Sequence, residues 1–318
     1  MAYYIGAYAA APMPFDPALE DDFYRGLRTL GARGLELPFF GPGFHAARPD
    51  GFPTGLDPAW TYLVTCLPGT MNSLERQADF GIASDSPSGR AAALAFLEQA
   101  RGAVLRLNAR LGRRAVRLVA VHSAPRQGAG VAASEASLAA SLAELQGWDW
   151  DGAALAIEHC DAYTPGRQPE KGFLRLEQEL AAIRATGGRT GMVINWARSA
   201  IEGRSAETPA RHIALARDAG RLRGVVFSGC TADDPLYGQW RDRHAPFAPE
   251  PGAGSGCAAS LLTAARAQEC LRSAGAPRLD VLGIKINPLP ASLTVERRLD
   301  RLRDAITIVD GCLREARR

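Results

Sequence analysis

Lysine is almost missing from this sequence. Of 37 basic residues only Lys171 and Lys285 are lysines, and all the others are arginine. Blocks of like charge are missing too. The net charge of +3 comes from dispersed arginines, which argues against a nucleic-acid partner. No apolar run reaches the ~18 residues that a membrane span needs, so no membrane partner is expected. The start, "MAYYIGAYAA", lacks the charged and apolar regions of a signal peptide. None of the six cysteines lies in a C-x-x-C pair, and no spacing suggests zinc. Free thiols in a reducing cytoplasm are the expectation, hence a cytoplasmic protein. There is no G-x-x-x-x-G-K-[ST], no G-x-G-x-x-G after a strand and no G-x-S-x-G elbow. Nucleotide cofactors and a serine-hydrolase centre therefore have no local signal.

What is present is alternation. Short β-branched or aromatic runs recur at 3–9, 34–40, 60–67, 116–123, 153–160, 190–197, 224–230 and 279–287. Between most of them apolar residues step by three and four, as in Leu138, Leu142 and Leu145, or Leu176, Leu180 and Ile183. The last such series, Val295, Leu299, Leu302, Ile306, Val309 and Leu313, is the clearest helix. The stretch from Phe40 to Ala59 is rich in Gly and Pro and predicts no helix. Eight strand–helix units in 318 residues predict a single α/β domain over 1–318, a (β/α)₈ TIM barrel with a degenerate second helix. Helix-to-strand links are short and carry glycine, for example "LGRRA" and "TGGRT". Strand-to-helix links are longer, the largest running from Cys230 to Gly256 after the seventh strand. Barrel active sites form on that face.

Side chains alternate across a strand, so parity is readable. In "LAIEH", Ala156 and Glu158 share a face opposite Leu155 and Ile157. The same pattern, small residues followed by one polar residue, singles out Glu36, His122, Asn195 and Lys285. These five are expected to meet at the barrel mouth. A pore-facing Lys285 among small residues is where a compact ammonium would differ in use from a guanidinium. Lys171 reads as the start of a helix. His122 is the better acid/base candidate because imidazole titrates near neutrality. His159 has the opposite parity and reads equally as packing behind the strand or as a substrate contact. Arg198 in "NWARS" could hold a carboxylate or phosphate. Trp196 and Trp240 could stack on a sugar or pack in core or lid. His45 and His244 sit on loops that rim the pocket, while His212 and Glu202 read as structural.

The stretches "AIEHCDAYTPGRQPEKG" and "VINWARSAIEGR", with "GAYA", "HSAP", "FSG" and "GIKI", carry a resemblance that spreads over nearly the whole chain. The sequence resembles the xylose isomerase-like TIM-barrel superfamily, and more closely an uncharacterised bacterial family within it. That resemblance implies a sugar isomerase- or epimerase-like enzyme with a divalent-metal site. Its usual ligands are a Glu ending strand five, an Asp after strand six, a His near strand seven and a Glu on strand eight. Glu158 matches the first. Asn195, Ser228 and Lys285 stand where the others are expected.

The expectation drawn from this is an enzyme for a small carbohydrate or sugar acid, moving a proton next to a carbonyl. Glu158 or His122 would be the base and Asn195 would belong to the catalytic set. Lys285 would fill the metal's place and pair with Glu158. Glu36, Arg198, His159, Trp196, Trp240 and His244 would line the substrate. No cofactor is expected. The alternative is Mn, Mg, Co or Zn on Glu158, Glu36, His122, His159 or His244. Rival activities are a lysine-dependent carbon–carbon lyase, a glycoside hydrolase using Glu36 and Glu158, and a non-catalytic sugar-binding protein. An endonuclease is disfavoured by the small number of histidines. Homo-oligomerisation stays open.

Overall fold

In the computed structural model the eight runs become eight strands closed into a barrel in sequence order, β1 through β8. The structure describes residues 3–48, 51–53, 55–128, 130–275 and 279–316. The strands are β1 (Tyr3–Ile5), β2 (Gly34–Pro38), β3 (Thr61–Thr65), β4 (Val116–Val121), β5 (Ala154–His159), β6 (Gly191–Asn195), β7 (Leu222–Phe227) and β8 (Val281–Ile284). They are shorter than the runs that announced them. The run 3–9 ends as a strand at Ile5, because Gly6 turns the chain and Ala7–Ala10 forms a single helical turn, α1. Tyr8 is thereby carried off the strand.

The helices that follow are α2 (Pro17–Thr29), α3 (Leu67–Leu74), α4 (Pro87–Leu111), α5 (Glu135–Gln146), α6 (Leu176–Ala185), α7 (Trp196–Gly203), α8 (Thr208–Asp218), α9 (Ala264–Ser273) and α10 (Val295–Ala316). Local chemistry fixes their starts. Asp16 accepts from the backbone of Ala18 and Leu19 ahead of α2, with Pro17 in the first turn. Ser86, Ser134 and Thr263 cap α4, α5 and α9 in the same way. Gly112, left-handed at φ 64°, ends α4 within the "LGRRA" link. Among the described residues of 39–60 there is no helix. There Gly43 and Gly51 pack backbone to backbone, and a Cβ on Gly43 would lie 2.7 Å from the Gly51 Cα. Lys171 lies in the loop before α6, not at a helix start.

The chain divides into two compact units, Met1–Glu36 with Thr54–Trp60 and Ile194–Arg318, and Leu37–Pro53 with Thr61–Val193. In the first, β1 pairs in parallel with both β2 and β8, and β7 pairs with β8. Helix α10 packs on α9 and α2. In the second, β3, β4 and β5 pair in parallel, with Ala120 beside Ala156 and Val121 beside Ile157. Helices α4, α5 and α6 cover them in succession. The core is the expected apolar set, with Leu107, Leu138, Leu142, Ile183 and Val309 all fully buried.

One polar residue joins α4 to β4. Asn108 is buried, and its Oδ1 accepts from the backbone of Ala115 and Val116 while its Nδ2 donates to Asp151. Asn108→Ala removes an acceptor from both amides, of which that of Ala115 keeps the Arg113 carbonyl, at a cost of about 1–3 kcal/mol for the buried group left unsatisfied. The expected result is a urea midpoint lowered accordingly with the slope unchanged. An unchanged midpoint would contradict this role.

Candidate active site

Strand register places the polar residues singled out by parity. In the second unit the β4–β5 pairing runs to Val121 and Ile157, and His122 and Glu158 are the next residues along the chain. Their side chains meet: His122 Nε2 lies 3.1 Å from Glu158 Oε2, with both residues buried. Thr65, at the end of β3, donates its hydroxyl to the same Glu158 oxygen at 3.3 Å. A titratable ring and a carboxylate in contact, tied to a hydroxyl, form a unit able to hold or pass a proton.

The next residues along these two strands turn the other way. His159 Nδ1 is 2.7 Å from Glu179 Oε2. The Ser123 hydroxyl donates to Glu179 Oε1 at 2.5 Å. Glu179 belongs to α6 and is fully buried. His159 thus takes the packing alternative that its parity allowed, and its assignment as a substrate contact is corrected. Glu179 did not figure in the sequence reading. The signal was there: it lies three residues after Leu176 and four before Ile183, on that helix's apolar stripe.

In the first unit the central contact is ionic. Lys285 Nζ donates to Glu36 Oε1 at 2.9 Å, and the two side chains are 1% and 3% exposed. The ammonium also lies 4.9 Å from the centre of the Tyr8 ring, and the Tyr8 hydroxyl donates to Glu36 Oε1 at 3.4 Å. The sequence reading paired Lys285 with Glu158. The structure gives Lys285 Glu36 as its ion-pair partner, and Glu158 takes His122. Gly6 makes room for the pair, since a Cβ there would sit 2.7 Å from Lys285 Cγ and 3.3 Å from Glu36 Oε2.

The remaining candidates of this unit form a second network. Asn195 caps α7, its Oδ1 accepting from the Arg198 amide at 3.4 Å. Arg198, 1% exposed, donates from Nε to Asp242 Oδ2 at 3.1 Å. His244 Nδ1 is 2.8 Å from the Ser228 hydroxyl and 3.3 Å from Asp242 Oδ1. Its ring is 16% exposed, the most open of the site histidines. Arg198 therefore ties the long connection after β7 to α7. That connection, residues 228–263, is also held by reciprocal backbone bonds between Gly229 and Ala245. Trp196 is completely buried, so its stacking role is corrected to core. Trp240 is half-buried at φ 52°, with the Arg204 guanidinium over its ring at 5.4 Å. His212 bonds Ser199 and faces Glu202 at 3.7 Å, joining α8 to α7. His45 accepts from the Ala47 amide in its own loop.

Thiolate chemistry has no ready group in these surroundings. Burial pushes the thiols of Cys66 and Cys270 upward, and pushes Cys230 to about 12 and Cys312 to about 11. Among the described residues no helix is long and apolar enough to cross a membrane.

The sequence profile described as "Domain of unknown function (DUF4862)" matches residues 4–301, and the chain belongs to this family. It is 35% identical over 318 residues to "Uncharacterized protein STM3670" of Salmonella typhimurium strain LT2, covering 98% of both chains. Among solved structures it resembles an L-ribulose 3-epimerase at a TM-score of 0.60 and 18% identity, covering 100% of this chain and 96% of that one. A putative sugar phosphate isomerase/epimerase of Anabaena variabilis aligns at 0.57 and 14%, covering 99% of each. A xylose isomerase domain containing protein of Salmonella typhimurium LT2 aligns at 0.58 and 11%, covering 97% of each. At these identities the likeness is one of fold.

Removing one member of the buried ion pair is the severe change. Lys285→Met takes the cation from beside a carboxylate that is 3% exposed, and the expected loss is about 3–5 kcal/mol of unfolding free energy. Lys285→Met combined with Glu36→Leu is expected to recover most of it. Urea unfolding of the four proteins of this cycle checks both. Additive losses would show that the two residues do not act as a pair.

Proposed function

We propose that this member of the DUF4862 family is an isomerase or epimerase of a small sugar or sugar acid, moving a proton at the carbon next to a carbonyl. The observation that carries the reading is the buried His122–Glu158 contact at the ends of β4 and β5. A carboxylate that bonds an imidazole can take a proton from carbon and share it with the ring, and can return it to the other face or the neighbouring carbon. Thr65 keeps the carboxylate oriented. The fold is one shared with proteins named as sugar epimerases, which makes ketoses and sugar acids the first compounds to try.

The divalent metal implied by the sequence resemblance does not fit this donor set. Of its four positions only Glu158 keeps a carboxylate. Asn195 gives its oxygen to a helix cap, Ser228 is bonded to His244, and the strand-eight position is itself a cation paired to Glu36. We therefore route no step through a metal. Protein purified without chelator or added metal is expected to carry no stoichiometric Mn, Mg, Co or Zn, and to show no thermal shift with any of them. Stoichiometric, stabilising metal would overturn the assignment of Lys285.

The rival activities suit the same contacts less well. A Schiff base needs a free amine, whereas a carboxylate at 2.9 Å favours the ammonium. A glycosidase needs one protonated carboxyl, and the Lys285 ammonium disfavours that form of Glu36.

The test is exchange in D₂O with a panel of ketoses, aldoses and uronates, read by proton NMR. Deuterium is expected only at the carbon next to the carbonyl. Glu158→Gln is expected to slow it about 10²–10⁴-fold while substrate still binds. A pure binding protein would show no exchange in the wild type. Substrate cleavage, or a borohydride-reduced adduct on Lys285, would transfer the assignment to the lyase.

A further inference from the structure

Two residues flank the proton-transfer pair, and one carboxylate grips both. Ser123 follows His122 on the β4 side, and His159 follows Glu158 on β5. Successive side chains leave a strand on opposite faces, so Ser123 and His159 point outward to the helix layer. There they meet the two oxygens of Glu179, Ser123 on Oε1 and His159 on Oε2. All three side chains are essentially without solvent. Glu179 is in the first turn of α6, where the helix dipole favours a negative charge.

We propose that Glu179 is a positioning residue that sets the His122–Glu158 contact from behind the sheet. It touches neither partner of that contact. It fixes the backbone immediately after each, so that the last register step of β4 against β5 is held on both strands by one rigid carboxylate. A contact of 3.1 Å between two strand ends has little tolerance for a shift of one against the other. The helix α6 is anchored by Leu176 and Ile183, both fully buried, so the clamp is tied to the core. This role rests on the proposed proton transfer for its meaning, but not for its test.

The readout is the ring nitrogen spectrum of His122, assigned by the loss of its signals in His122→Gln. Glu179→Ala is expected to move and broaden the His122 signals, as the contact with Glu158 loosens. Val309→Ala, a core deletion in α10, is expected to lower Tm while leaving those signals in place. Glu179→Gln keeps the volume and one acceptor and is expected to give a smaller shift in the same direction. It serves as the reading variant if Glu179→Ala does not fold. Unmoved His122 signals in the Glu179 variants, with a Tm loss like that of Val309→Ala, would reduce Glu179 to a stabilising residue. With a substrate in hand, Glu179→Ala should lower kcat about 10–100-fold with KM little changed, as expected for misplaced groups. The spectrum needs no substrate. Failure of every sugar to exchange would therefore remove the proposed reaction and leave the clamp standing, whereas unmoved signals beside normal exchange would remove the clamp alone.

Discussion

A carboxylate taken out of water has to be met by a cation, a ring nitrogen or a set of donors, and this constraint organises the polar interior of the chain. Glu36 is met by Lys285 and Tyr8. Glu158 is met by His122 and Thr65, and Glu179 by His159 and Ser123. Asp161, also buried, collects the amides of Glu170 and Lys171 and shapes the loop before α6. Asp242 takes Arg198 and faces His244. Each buried acid therefore fixes the position of something else: a lysine, a histidine, a loop, or the long connection after β7. Removing any one would leave its partner unpaired in an apolar surrounding and that partner's geometry undetermined.

These acids divide by the side of the strand from which they work. Glu36 and Glu158 hold groups that face inward by parity, with chemistry available to them. Glu179 holds groups that face the helices. In the clamp proposed above, the second arrangement steadies the His122–Glu158 contact of the first. A histidine and a glutamate from neighbouring strands meet only if the strand ends keep register, and the paired register of β4 and β5 ends at Val121 and Ile157. His122 and Glu158 come one residue later, where side chains have to maintain the register.

Much of this was legible in the sequence because the fold is periodic. Period-two alternation in "LAIEH" and "RLVAV" sorted Glu158 and His122 from their apolar neighbours, and strand pairing in the barrel brings them together. Between Phe40 and Ala59 the described residues form no helix, in keeping with the glycines and prolines there. Partner choice was harder. Whether Lys285 pairs with Glu158 or with Glu36 depends on which strands are neighbours and on how side chains lean, and β1 lies between β2 and β8 with only Gly6 in the way. Glu179 escaped notice because acids in the first turn of a helix are commonplace. Only its place on the apolar stripe with Leu176 and Ile183 marks it. Asn195 drew attention by parity, although the structure gives its oxygen an ordinary use as a helix cap.

The scarcity of lysine acquires a physical meaning when two buried cations are compared. Arg298, 2% exposed, spreads its guanidinium over the carbonyls of Ala10, Ala11, Ala291 and Leu293, joining α10 to the loops at either end of the chain. A planar fork with five donors suits that task, and an ammonium could not reach all four acceptors. Lys285 has different surroundings: a carboxylate on Glu36, the face of Tyr8 and Gly6, whose missing Cβ leaves room for the lysine stem. An ammonium is a compact point charge, and a carboxylate beside an aromatic face needs no planar fork to meet it. Arginine builds the framework around Arg298, and the buried lysine serves a contact made at one point.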